Sequence, residues 1–159
     1  MLDHLSHAFY SFPIFVQVGL KDKPMRPLAV NDLVKVIEAS FHDRRLLNKT
    51  FYITGPEEMS CMDAVRRVAH VVGKQPIYFT APVFVHNVLA YMFERTMKIP
   101  LVSLGQVKIL SEGIVEPLPF AEKLPEDLLP KTAFTVEEIK KGLPEPKSFG
   151  WADLKFNLM

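Results

Sequence analysis

Residues 51–80 read FYITGPEEMSCMDAVRRVAHVVGKQPIYFT, and this stretch decides the fold class. Phe51–Thr54 is a short apolar run closed by the turn pair Gly55-Pro56, which marks a strand. Ser60 followed by Asp63 has the form of a helix-capping pair, with Asp in place of the usual Glu. The helix it opens carries Cys61, Val65, Val68, Ala69 and Val72 on one face and ends at Gly73, a C′ glycine. Pro76–Thr80 is the next strand. Strand, helix and strand in this order predict an α/β chain.

The same pattern extends toward the N-terminus. Leu2, Leu5, Phe9 and Phe12 recur at helical spacing, so 2–12 reads as an amphipathic helix stopped by Pro13. Ile14–Val18 is β-branched and aromatic and reads as a strand, and Gly19–Pro24 is a charged turn. An extended piece, Met25–Val30, leads to a helix near 32–42, with Asn31 as N-cap and Leu33, Val34, Ile37 and Phe41 facing inward.

Toward the C-terminus, Pro82 opens a helix that runs to about Met97, and Ser103 caps another that ends at Gly113. Four prolines (117, 119, 125 and 130) crowd the segment 114–131, which is therefore extended or turning rather than α-helical. Thr135 and Glu138 form a capping box for a last helix ending at Gly142. Trp151, Phe156 and Leu158 are expected to dock on the body. The reading divides the chain at residue 81, with late strands and helices of a Rossmann-like core over 1–81. Residues 82–159 then form a mostly helical, substrate-side subdomain, the two parts making one compact unit.

The chain has 159 residues, 48% of them hydrophobic and 23% charged, with a net charge of +1. That composition excludes disorder and gives no global steering toward nucleic acid or an anionic surface. One cysteine rules out an intrachain disulfide and a thiolate zinc site and favours a reducing, cytoplasmic setting. The N-terminus has neither the basic nor the apolar region of a signal peptide, and no apolar run reaches the roughly 20 residues of a membrane span.

The glycines stand at 19, 55, 73, 105, 113, 142 and 150, never closer than eight apart. No phosphate-cradling loop of closely spaced glycines is possible. The tyrosines are followed four residues later by Ile14, Pro56, Pro82 and Arg95. Only Tyr91–Arg95 approaches the Tyr-x-x-x-Lys pair of a short-chain dehydrogenase, and arginine lacks the compact ammonium of that lysine. No catalytic residue and no cofactor-binding residue is assigned.

Met25-Arg26-Pro27-Leu28-Ala29-Val30-Asn31-Asp32-Leu33, a helix, Lys49-Thr50-Phe51-Tyr52-Ile53-Thr54-Gly55-Pro56-Glu57, and the Ser60–Gly73 helix together resemble one family. In order and spacing the run is similar to the C-terminal half of extended and atypical short-chain dehydrogenase/reductases, the NAD-dependent epimerase/dehydratase group, nearest to the branch of the complex I accessory subunit. The resemblance spans residues 1 to about 143. It implies NAD(P) chemistry in a full-length protein, with the glycine-rich loop and the Tyr/Lys pair upstream of Met1. Phe51–Thr54 would be a late strand of the parent sheet, and Val83–Gly113 part of a helical substrate lid. Ala29 stands where the family often has His or Tyr. Arg26 lies one position later than the arginine that holds the pyrophosphate in sugar-nucleotide epimerases, with Met25 in that slot, which points to the atypical branch.

Two candidate substrate-binding elements follow. Arg26 can grip an anionic or carbonyl group through its fork of donors, or pair structurally with Asp22 or Asp32. The helix over 83–97 carries Phe84, Val88, Tyr91, Met92 and Arg95. This face suits a pocket for a quinone or lipid-like ligand, or, more plainly, a core helix of the lid. His4 and His7 are spaced to face one metal but lack an evident third ligand. His70 and His86 read as solvated or capped, and Arg44-Arg45 and Arg66-Arg67 as solvated surface. Cys61 sits in a helix first turn that favours thiolate, yet on the apolar face, where a buried, inert thiol is expected.

The expected function is the substrate-side region of an NAD(P)-dependent oxidoreductase or epimerase, binding no dinucleotide and inactive by itself. A non-catalytic interaction or assembly domain and a small hydrophobic-ligand binder are the alternatives. The expected partners are a substrate in the full-length protein and a homodimer mate or an N-terminal Rossmann part.

Overall fold

A computed structural model describes residues 2–113, 117–150 and 153–155, apart from the side chain of His4. Trp151, Phe156 and Leu158 lie outside the described residues. The elements in chain order are α1 (Leu2–Ser11), β1 (Ile14–Val18), β2 (Pro24–Met25), α2 (Val30–Ser40), β3 (Phe51–Tyr52), β4 (Met59–Ser60), α3 (Cys61–Val72), β5 (Ile77–Ala81), α4 (Val83–Thr96), α5 (Leu104–Glu112), β6 (Glu122–Lys123) and α6 (Val136–Gly142). The chain is mixed α/β.

The strands form, among the described residues, three two-stranded sheets: β1 with β5, β2 with β4, and β3 with β6. β1 and β5 are parallel, as are β3 and β6, while β2 and β4 are antiparallel. Phe51–Thr54 thus contributes only a two-residue strand, paired with the proline-rich segment.

The main core gathers around α3. Val65, Val68 and Ala69 meet Phe9 of α1 and Ile139 of α6, with Phe15 and Tyr78 of the β1–β5 sheet packed alongside. Each such side chain taken from water contributes about 1.5–3 kcal/mol. That burial explains α6, whose seven residues are too few for a stable isolated helix. Ile139 is fully buried and anchors it. α3 itself is bounded as its sequence dictates. Ser60 Oγ accepts from the Asp63 N–H at 3.0 Å, and Gly73 ends the helix at φ 73°, a conformation that costs other residues roughly 1–2 kcal/mol. The reciprocal capping box occurs at Ser103 and Gln106. At α6 the Thr135 hydroxyl caps the helix, but the Glu138 carboxylate turns to Lys141 instead.

α2 departs from its predicted phase. Ala29, extended after Pro27, occupies the N-cap position in place of Asn31, and no side chain caps the helix. The buried positions are Asp32 and Val36, whereas Val34, Ile37 and Phe41 face solvent, Phe41 at 76% exposure. The cause is a carboxylate in the interior. Asp32, 5% exposed, accepts the Lys131 and Thr132 main-chain N–H groups at 3.0 and 2.8 Å and the Lys35 ammonium at 3.3 Å. It fastens the proline-rich strap 117–134 to α2. Leu124, Leu128 and Leu129 of the strap then close a second core over Val36 and Leu46. The strap is extended and turning as expected, with a turn at 119–120, where the Ala121 N–H donates to the Leu118 carbonyl, and a 3-10 turn at Glu126–Leu128.

Burial alone would raise the Asp32 pKa, but the bonds from Thr132, Lys131 and Lys35 outweigh it and hold the carboxyl below 3.8. A group with a lowered folded-state pKa stabilises the fold above its unfolded value and loses that contribution as pH falls through the folded one. The stability gap between wild type and Asp32→Asn, measured by urea unfolding, should therefore be constant from about pH 5 to 7 and shrink below about pH 4. A gap independent of pH down to about pH 2 would contradict this assignment.

Candidate functional site

Three segments singled out in the sequence, 25–33, 49–57 and the start of the Ser60–Gly73 helix, converge. Pro24 and Met25 pair with Ser60 and Met59, the Cys61 N–H donates to the Lys23 carbonyl at 2.9 Å, and the Gly55 N–H points at the Arg26 carbonyl at 3.4 Å. A Cβ on Gly55 would lie 1.8 Å from the Pro27 carbonyl oxygen. Only glycine lets the two main chains approach this closely.

Arg26 is set on this junction and pairs with neither Asp22 nor Asp32. Its Nε and Nη2 donate to Glu58 Oε2 at 3.1 and 2.9 Å, on a partly exposed surface. Asp32 is committed to the strap, and Asp22 Oδ1 accepts from the Met62 and Lys23 N–H groups. Glu58 thus occupies one edge of the fork, and no hydrogen bond from Nη1 is present among the described residues.

Beside the junction, Arg67 is not the solvated surface residue its sequence suggested. It donates to Glu57 Oε1 at 2.8 Å and to the Phe134 carbonyl at 3.0 Å, holding the turn after Gly55 against the end of the strap. These bonds lower the Glu57 pKa and raise that of Arg67. Arg45 likewise bridges Asp43 and Asp127, an exposed cluster of the kind that contributes little to stability. Burial, with the nearby charge of Asp22, pushes the Cys61 thiol up, and an unactivated thiol follows.

A groove of about 580 Å³ opens between the start of α2, the strap and α6, lined by Pro27, Ala29, Asn31, Thr132, Phe134 and Lys141. Its volume is that of a small-molecule site. The sequence reading did not select these residues, because the groove is made by the strap returning to α2 across about a hundred positions. The one available signal was Asp32, a carboxylate at a helix position facing the interior.

The other candidate element stands apart. Phe84, Val88, Tyr91, Met92 and Arg95 lie on the outward face of α4, Phe84 at 68% exposure. The Arg95 guanidinium sits 5.1 Å above the Tyr91 ring. The expectation of a core helix is corrected: α4 turns His86 and Ala90 inward instead. His86 is buried rather than solvated, its ring nitrogens 3.4 and 3.3 Å from the Pro82 and Val16 carbonyls. Among the described residues, no hydrogen bond, ion pair or cavity joins Arg26 to Phe84, Tyr91 or Arg95. The Nε2 atom of His7 is buried without a partner, and no cluster of three potential metal ligands forms among the described residues. No described helix is long and apolar enough to cross a membrane. Neither a protein-family model nor a curated protein matches the chain.

Gly55→Ala tests the junction. The substitution should destabilise the chain by about 1–3 kcal/mol or more, through main-chain overlap that no rotamer relieves. Gly150→Ala, where the added Cβ meets nothing within 4 Å, should be nearly neutral. Equal unfolding midpoints for the two variants would refute the close approach.

Proposed function

We propose that this chain is the substrate-side region of an NAD(P)-dependent reductase or epimerase of the atypical short-chain type, supplying a groove but no nucleotide site. The observation that supports the reading is the junction itself. Two of the segments that carry the resemblance, 25–33 and 49–57, meet through Gly55 and Pro27, and Pro27–Asn31 of the first line the groove. Without closely spaced glycines, no backbone here can cradle a pyrophosphate. In this reading the dinucleotide belongs to a separate Rossmann part, which packs on the outward stripe of α2. Val30, Val34, Ile37 and Phe41 recur there at helical spacing and all face solvent.

The same stripe favours a second reading, a non-catalytic assembly domain, because an exposed apolar row of this kind marks a protein-binding surface. The two readings share the surface and differ in whether the groove takes a substrate. Calorimetric titration of the chain with NADH and with NADPH should give no saturable heat. Saturable binding of either at micromolar affinity would overturn both readings. Chemical-shift perturbation by decylubiquinone tests the groove, with shifts expected at Asn31, Thr132 and Phe134. Shifts confined to the α2 stripe, or none, would leave the assembly reading.

A further inference from the structure

The strand β5 is an open, uncharged sheet edge, and we propose that it pairs with β5 of a second copy to make a closed, two-fold dimer. This inference does not depend on the function proposed above. The Ile77 N–H donates to the Pro13 carbonyl and the Gly19 N–H to the Ala81 carbonyl, each at 2.9 Å. In a parallel ladder alternate residues bond the same neighbour, so Ile77, Phe79 and Ala81 turn their main chain toward β1. Tyr78 and Thr80 turn theirs away. Among the described residues the N–H and C=O groups of Tyr78 and Thr80 have no partner.

The side chains tell the same story. Tyr78 and Phe15 face the α3 core. Ile77 and Phe79 lie on the opposite face with Ile14, and they are 60% and 53% exposed. Parallel sheets are normally covered on both faces; this one is half bare. The strand itself, Ile77–Ala81, reads IYFTA and carries none of the charges that usually protect such edges; the nearby Arg66 guanidinium lies over the Tyr78 ring, on the α3 face.

The register selects the occupant. An antiparallel copy centred on Phe79 sets Tyr78 opposite the partner's Thr80, and Thr80 opposite the partner's Tyr78. Both are hydrogen-bonded positions, and they supply up to four main-chain bonds. Phe79 then meets its own mate at the close, non-hydrogen-bonded position, where aromatic pairs are favourable. Pro76 and Pro82 come opposite one another, and neither has an N–H to give. The ladder is therefore limited to five residues, and the contact closes on itself instead of growing into a filament. A five-residue ladder is small beside the roughly 800 Å² per partner of a standard interface, so a weak dimer is expected.

Sedimentation velocity over a concentration series tests this. Wild type should pass from monomer to dimer across the micromolar range. Thr80→Pro removes an N–H that β1 does not use and should weaken dimerisation at least about tenfold, with an unchanged circular dichroism melt in dilute solution. Phe79→Lys should do the same by placing a charge on the edge, and it decides the matter if Thr80→Pro fails to fold. A wild-type monomer at every concentration, or folded variants that dimerise like wild type, would overturn the proposal.

Discussion

One buried carboxylate organises much of this molecule. Asp32 stands in the first turn of α2 and holds two consecutive main-chain N–H groups from a segment about a hundred residues away. Its removal would leave the Lys131 and Thr132 N–H groups without their carboxylate partner. The geometric consequence is larger than the energetic one. With Asp32 turned inward, α2 must present Val30, Val34, Ile37 and Phe41 to the outside. The strap returns across α2, its leucines close the second core, and Phe134 reaches Arg67. The groove is the space left between the strap, α2 and α6.

A second constraint, the contact of Gly55 with the Pro27 carbonyl, fixes where Arg26 stands. Together the two explain why a chain with few long strands still has defined surfaces. The short sheets β2–β4 and β3–β6 are seams that join loops, not structural slabs. The outward apolar stripes on α2 and α4 and the bare face of β5 are three unsatisfied surfaces on a small body. They fit a chain built to lie against other protein, and they are why the proposed function places substrate handling and assembly on the same scaffold.

Local chemistry made much of the fold legible from sequence. Ser60 and Gly73 delimit α3, Ser103 and Gly113 delimit α5, and the β-branched run 14–18 is the strand expected. What periodicity could not give was which side of a helix is inside. Its apolar stripe identifies α2 as amphipathic, but the rule that the stripe faces the core fails when a carboxylate has partners waiting in the interior. α4 fails in the same way, because His86 finds two carbonyls and turns inward while the aromatic row turns out. The pairing of Arg26 with Glu58, 32 residues away, and the two-residue strands depend on long-range closure that no local window contains. The candidate site was legible only in part: Arg26 and its segment were selected, but the groove beside them depends on the strap.

The Asp32 tie holds the strap to α2, and amide hydrogen exchange reads it directly. In wild type the Lys131 and Thr132 amides should exchange far more slowly than the exposed amides of the strap. In Asp32→Ala those two should lose their protection while the α3 amides keep theirs. Rapid exchange at Lys131 and Thr132 in the wild-type protein would show that the carboxylate does not hold the strap, and the arrangement of α2, strap and groove would fall with it.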